Sequence, residues 1–214
     1  MAFQSFTSQD FDVFSIPGLE DRMDGIITYV RPKLEQLGQY FAPILSSFTG
    51  EEMFAHVAKH ARRTKNPPDD TWVAFAPNKR GYKKLPHFQI GLWGSHLFVY
   101  FAVIYENPYK EQIGQAFTTN FKQIVDTIPS HYVWSSDHTV PYANVHKELT
   151  EDDLRQLFER LMNVKKAEIL CGIHLSKEKV LNMSGNELLQ TIENTFKTLL
   201  PLYQLANSPN EVKV

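Results

Sequence analysis

TWVAFAP (residues 71–77), HFQIGLW (87–93) and HLFVYFAVIYE (96–106) are the stretches on which the fold turns. All three are rich in β-branched and aromatic residues and bounded by Pro, Gly and Asn, so they read as strands. The third is apolar on both faces, the pattern of a central strand covered on both sides. HYVWSSD (131–137) and EILCGIHL (168–175) read as two more strands.

Around this middle the period changes to that of helices. Serine or threonine stands three residues before an acid at Thr7/Asp10, Thr150/Asp153 and Ser184/Glu187, the spacing of a capping box. A helix is predicted from Gly18 to Leu37, with Met23, Ile26, Ile27, Val30 and Leu34 on one face. Pro32 kinks it or begins a second helix, and Gly38 ends it. Further helices are predicted over Tyr109–Ile128, Glu151–Met162 and Gly185–Leu205. The order predicts an α+β fold with a largely antiparallel sheet and helices on its faces. The boundaries implied are one domain over 1–206 and a loose polar tail over 207–214. FTSQDFDVF (6–14) echoes LTEDDLRQLF (149–158), and each precedes an apolar-proline stretch, FAPIL and LLPLY. An internal duplication would explain the echo; capping chemistry alone would explain most of it.

With 214 residues, 43% of them hydrophobic, the chain can bury a full core without staples. Cys171 is the one cysteine, which excludes an internal disulfide and any multi-cysteine metal site. The N-terminus lacks the basic and apolar regions of a signal peptide, and the longest apolar run, nine residues at 97–105, cannot cross a bilayer as a helix. A cytoplasmic protein with no membrane partner is the expectation.

The net charge of −2 conceals a polarised segment. Between His56 and His87 lie eight Lys or Arg against two acids, a local +6, while the remainder carries 14 against 22. HVAKHARRTKNPPDD (56–70) begins it. Thr49 and Glu52 would cap a helix there, but the proline turn and the following strand favour a hairpin with TWVAFA. His56 and His60 share a face under either period. On a strand they stand about 13 Å apart, too far to share a metal ion. The two basic clusters, Lys59, Arg62, Arg63 and Lys65, then Lys79, Arg80, Lys83 and Lys84, fall at opposite ends of that hairpin strand. They converge only if the flanking loops fold back. Converged, the arginines could grip phosphate or carboxylate in two-pronged fashion, with Lys as point charges and Tyr82 as a stacking face. Gly81 would let the backbone approach an anion. The bland alternative is a solvated hairpin paired with the acidic remainder.

Asp137-His138 is the best acid–base pair on offer, but neighbours at a strand end point apart, so His138 needs another partner to orient it. Cys171 and His174, three apart, lie on opposite faces of their strand, and the thiol reads as buried and inert. Ser95-His96 opens the central strand without a nucleophile elbow. There is no dinucleotide fingerprint, phosphate-loop lysine motif or zinc-helix motif. No cofactor is indicated.

The strings HVAKHARR (56–63), NPPDDTWVAFA (66–76), NKRGYK (78–83), PHFQIGLW (86–93), SSDH (135–138), VKKAEILCGIH (164–174) and TLLPLY (198–203) closely resemble the YktB-like family of uncharacterised bacterial proteins. The resemblance covers nearly the whole chain. It implies a cytosolic α+β protein, with layered sheet and helices reminiscent of class II synthetase and biotin-ligase catalytic domains. The family has no assigned function, so it hands over no catalytic residues.

The functional expectation therefore rests on the basic region. A small phosphorylated, nucleotide or carboxylate ligand is expected at His56, Lys59, His60, Arg62, Arg63, Lys79, Arg80, Tyr82, Lys83 and His87, with Asp137 and His138 the candidates for any catalysis. RNA binding through the same surface, or docking of an acidic protein partner, are the alternatives, RNA being the less favoured ligand.

Overall fold

The computed structural model describes residues 3–208. The elements run α1 (Ser8–Asp12), α2 (Leu19–Gly25), α3 (Arg31–Thr49), β1 (Phe54–Val57), β2 (Asp70–Ala76), β3 (His87–Trp93) and β4 (His96–Val103). Then follow α4 (Lys110–Thr119), α5 (Phe121–Thr127), β5 (Val133–Ser135), β6 (Asn144–Val145), α6 (Glu151–Asn163), β7 (Ile169–Ser176), α7 (Lys177–Leu181) and α8 (Gly185–Asn207). The seven strands form one sheet in the order β1-β2-β3-β4-β7-β5-β6. Every pairing is antiparallel, from the β1–β2 hairpin (Phe54 opposite Ala76) to β4–β7 (Val99 opposite Ile173).

The fold class is α+β, as the element order implied, but the helices gather on one face of the sheet. Val73, Phe75, Phe88, Ile90, Leu92, Leu97, Val99 and Phe101 point to that face and join residues of α3, α4, α6 and α8 in the main core. Phe88 lies at its centre, with Tyr203 stacked at 5.0 Å and Phe196 edge-on at 5.2 Å. The opposite face carries a smaller cluster, Trp93, Phe98, Tyr100, Ala102, Ile104, Val133 and Leu170, to which no helix contributes. β4 is buried along its whole length because helices cover one side and loops the other.

All three capping boxes form. Pro32 begins α3, after a π-helical stretch over Ile26–Val30 that joins it to α2 without a break. Contrary to expectation, Gly38 does not end the helix, which runs on to Thr49 and stops at Gly50 (φ 77°). A Cβ on Gly38 would stand 3.0 Å from the Ala55 methyl, so this glycine serves the packing of α3 onto β1. Nor does Thr49 cap a following helix, since its hydroxyl donates back to the Leu45 carbonyl at 2.9 Å. The predicted 109–128 helix breaks at Asn120 into α4 and α5. After the two echoing stretches the chain differs: α1 leads into one long helix, whereas α6 leads into β7 before α8. Of the polar tail, Asn207 ends α8 and residues 209–214 lie outside the described residues. Among the described residues no helix is long and apolar enough to cross a membrane.

Candidate functional site

Beside its small apolar cluster, the helix-free face of the sheet buries an unusual number of polar side chains. Asp70, His87, Gln89, His96 and Glu168 are all buried there or at its rim. A buried polar group departs from the ordinary more than an exposed apolar one does. Gln89 bonds the His87 ring at 2.8 Å, and the other His87 nitrogen donates to the Leu85 carbonyl at 2.8 Å. Complete burial lowers the His87 pKa to about 4, so this ring is neutral at pH 7. Further along, the hydroxyl of Tyr100 bonds the His174 ring, which stacks on His96 at 3.9 Å.

The basic loops do fold back over this face. Tyr82, in the β2–β3 connection, reaches the indole of Trp72, whose N–H donates to its hydroxyl at 2.8 Å. Trp72 stands four residues before the end of β2, so the connection returns about 13 Å along the strand. Lys59, Arg62 and Arg63 thereby meet Arg80 and Lys83 around one cleft of about 680 Å³. A neighbouring cleft of about 550 Å³ shares Arg80, Tyr82 and Lys83 and adds Lys84 and His56. Glu106 is the acid lining both, and Lys83 pairs with it at 3.2 Å. Lys59, Arg62 and Arg80 have no carboxylate partner among the described residues. The acidic remainder of the chain therefore does not neutralise the cluster. Lys79 stands apart over the Phe54 ring, 5.1 Å from its centre.

Two expectations at this site need correcting. Only residues 54–57 of the first arm form a strand; His60 lies beyond it, so His56 and His60 do not share a strand face. The His56 ring bonds the Asn78 carbonyl at 2.9 Å and the His60 ring bonds Thr71 Oγ1 at 3.1 Å. Burial, with Arg63 and Arg31 nearby, lowers the His60 pKa to about 4. Its φ of 51° places a non-glycine residue in the left-handed region, a conformation uncommon outside turns and sites. Tyr82, in turn, is not a free stacking face. Its ring stands 4.8 Å from His87 and 5.7 Å from His56, which makes it the wall of the cleft.

His138 has the second partner that its adjacent aspartate could not supply. Glu168, at the entrance to β7 and 4% exposed, accepts from His138 Nδ1 at 2.7 Å and from the His138 backbone N–H at 3.0 Å. Its other oxygen accepts from the Tyr105 backbone N–H at 3.2 Å. Lys110 fixes the turn that delivers Glu168, donating to the carbonyls of Val164, Lys165 and Ala167. Burial disfavours the imidazolium, but the bond and charge of Glu168, with Asp70 and Asp137, outweigh it and hold the His138 pKa above its ordinary value. Asp137 turns its carboxylate to Thr139, whose N–H and hydroxyl both donate to it. Asp137, His138 and Glu168 offer ligand atoms within 4.8 Å of one another.

Lys59, His60, Arg62, Arg63, Arg80, Tyr82 and Lys83 meet around one cleft because the loops fold back, whereas Lys79 lies outside it; Asp70, Glu168 and the Tyr100–His174–His96 chain were not singled out by the sequence. The available signal was a polar residue at alternate positions of an otherwise apolar strand, as in His87 and Gln89, or a carboxylate opening one, as in Glu168. Cys171 is fully buried on the helix-covered face, opposite to His174, and burial raises its thiol pKa.

Residues 6–203 match the family described as Domain of unknown function (DUF1054). The chain belongs to this family. It is 58% identical over 205 residues to the UPF0637 protein of Bacillus velezensis, covering 96% of this chain and 98% of that protein. It is likewise 58% identical to the UPF0637 protein of Bacillus licheniformis, over 96% and 97% of the two chains. To the UPF0637 protein of Bacillus cereus it is 55% identical, over 97% and 100%. The family is an uncharacterised bacterial one, and membership brings no assigned site to the residues above.

Proposed function

We propose that this protein binds a small anionic ligand, a phosphorylated compound or nucleotide ahead of a simple carboxylate, in the cleft over the helix-free face. The observation that carries the reading is the convergence of two basic runs on one cleft whose lining acid is already paired with Lys83. A guanidinium without a carboxylate partner offers a phosphate paired N–H donors that a lysine cannot supply. The neutral, hydrogen-bonded His87 and the Tyr82–Trp72 pair give the cleft a rigid wall, which lowers the ordering cost of binding. The cytoplasm is the compartment we infer, from the single, buried thiol.

The test is Arg62→Ala combined with Arg63→Ala and Arg80→Ala, with inorganic phosphate and a nucleotide titrated calorimetrically. All three side chains are exposed, so the melting temperature should hold while affinity falls at least a hundredfold, each charged hydrogen bond contributing about 1.5–3 kcal/mol. Equal affinity in the variant would overturn the reading. RNA binding through the same cleft loses support because the rings that would stack on bases are already engaged with one another.

A further inference from the structure

We propose that the ligand carries two phosphoryl groups on separate carbons, and that the two neighbouring clefts each take one of them. A sugar bisphosphate and a nucleoside bisphosphate share this chemistry. This rests on the anion-binding reading and narrows it to a substrate class.

Tyr82 divides the site in two. Its hydroxyl accepts from the Trp72 indole, and its ring stands 5.7 Å from His56 and 4.8 Å from His87. His56 lies opposite Ala74 and Trp72 two residues before it, so the ring lies over this small side chain. Trp72 and His60 line the cleft on one side of the ring, and His56, Asn78 and Leu85 the cleft on the other. From Trp72 to Ala76, the end of β2 nearest Asn78, the strand runs about 13 Å. Two phosphoryl groups that share one bridging oxygen are too close together to occupy both clefts. A sugar between them provides the reach.

Charge sets the number of groups. Lys59, Arg62, Arg63, Arg80 and Lys84 line the two clefts, and none has a carboxylate partner among the described residues. Glu106, the acid of both clefts, is taken by Lys83. One phosphate monoester brings about −1.5 to −2 at pH 7, and two bring about −3 to −4. A single group would leave most of the five cations facing one another, whereas two come close to balancing them.

The cations are shared unequally. Lys59, Arg62 and Arg63 belong to the Trp72 side alone, Lys84 to the His56 side alone, and Arg80 to both. A lone phosphate therefore prefers the Trp72 side, and the second group of a bisphosphate reaches Lys84. Arg80 stands where the clefts join, on a loop fixed by its own backbone N–H, which donates to Asn78 Oδ1 at 2.8 Å.

Calorimetric titration tests this with two matched pairs, fructose 6-phosphate against fructose 1,6-bisphosphate and adenosine 5′-monophosphate against adenosine 3′,5′-bisphosphate. Inorganic phosphate and pyrophosphate complete the set. At least one bisphosphate should bind about tenfold or more tighter than its own monophosphate, because its second group arrives tethered. Which pair shows the gain distinguishes a sugar source from a nucleoside one. Pyrophosphate should bind more weakly than that bisphosphate. Lys84→Ala, an exposed position, should keep the wild-type melting temperature and cost the bisphosphate about tenfold more affinity than it costs inorganic phosphate. Arg62→Ala with Arg63→Ala should weaken both ligands. Phosphate binding without a gain in either pair overturns the two-group assignment alone. So does pyrophosphate equal to the better bisphosphate, or an equal loss for both ligands in Lys84→Ala. Absence of binding by all six compounds overturns the anion-binding reading and this one with it.

Discussion

The two faces of the same sheet are built from alternate residues of the same strands, yet they solve different problems. On β3, Phe88, Ile90 and Leu92 enter the helix-covered core, while His87, Gln89, Gly91 and Trp93 face the loops. The first face is closed by side chains that need only volume and shape. The second combines a smaller apolar cluster with hydrogen bonds between rings and backbone, and it carries a basic rim. A face satisfied by packing can be covered by any helix of suitable shape. One satisfied by directional bonds must be held by particular loops, and those loops leave a cleft between them.

Three measurements would break or sharpen this contrast. The largest effect should come from Phe88→Ala on the helix-covered face, a fully buried ring against Phe196 and Tyr203. A loss of about 3–5 kcal/mol in chemical denaturation is expected. A loss below about 1 kcal/mol would mean that this face is not the packed one.

Next in size is acid sensitivity, which belongs to the polar face. Burial lowers the pKa of His87, His60 and His96 to about 4 from an ordinary 6.5. The unfolded chain therefore binds protons that the folded one refuses. This stability is present in full above pH 6.5 and is lost as pH falls towards 4. For His87, fully buried, the shift corresponds to ~3 kcal/mol. His138 runs the other way, its contribution complete below pH 6.5 and lost as pH rises through its folded value. Urea unfolding from pH 8 to 4 should show a decline below 6.5 that His87→Asn makes shallower. An unchanged slope would show that His87 is not held neutral.

The smallest effect is expected at Gly81→Ala in the returning loop. A Cβ there meets nothing within 4 Å and the backbone is not left-handed, so stability should change by less than about 0.5 kcal/mol. Phosphate affinity should nonetheless fall if the loop backbone approaches the anion. Equal affinity would place the contact on side chains alone.

Much of the scaffold could be read from local pattern. The strands at 71–77, 87–93 and 168–175 and the capping boxes at Thr7, Thr150 and Ser184 depend on residues a few positions apart. The misreadings arose where distant contact overrode local chemistry. Gly38 looked like a helix stop but is a packing contact with β1, and Thr49 looked like a helix start but closes the helix before it. At the site the same division holds. The sequence isolated the basic runs and saw that His138 required a partner other than Asp137. It could not name Glu168, thirty residues away, because that bond forms where the start of β7 meets the loop that follows β5.

The sequence by itself determined the fold class and the polarised segment from 56 to 87, since composition, period and capping are local properties of the chain. Tertiary structure alone decided that the basic loops converge on one cleft and that Glu168 meets His138. It also decided that the helices leave one sheet face to the loops. Those facts depend on strand order and on how far a loop folds back, which no spacing between neighbouring residues encodes.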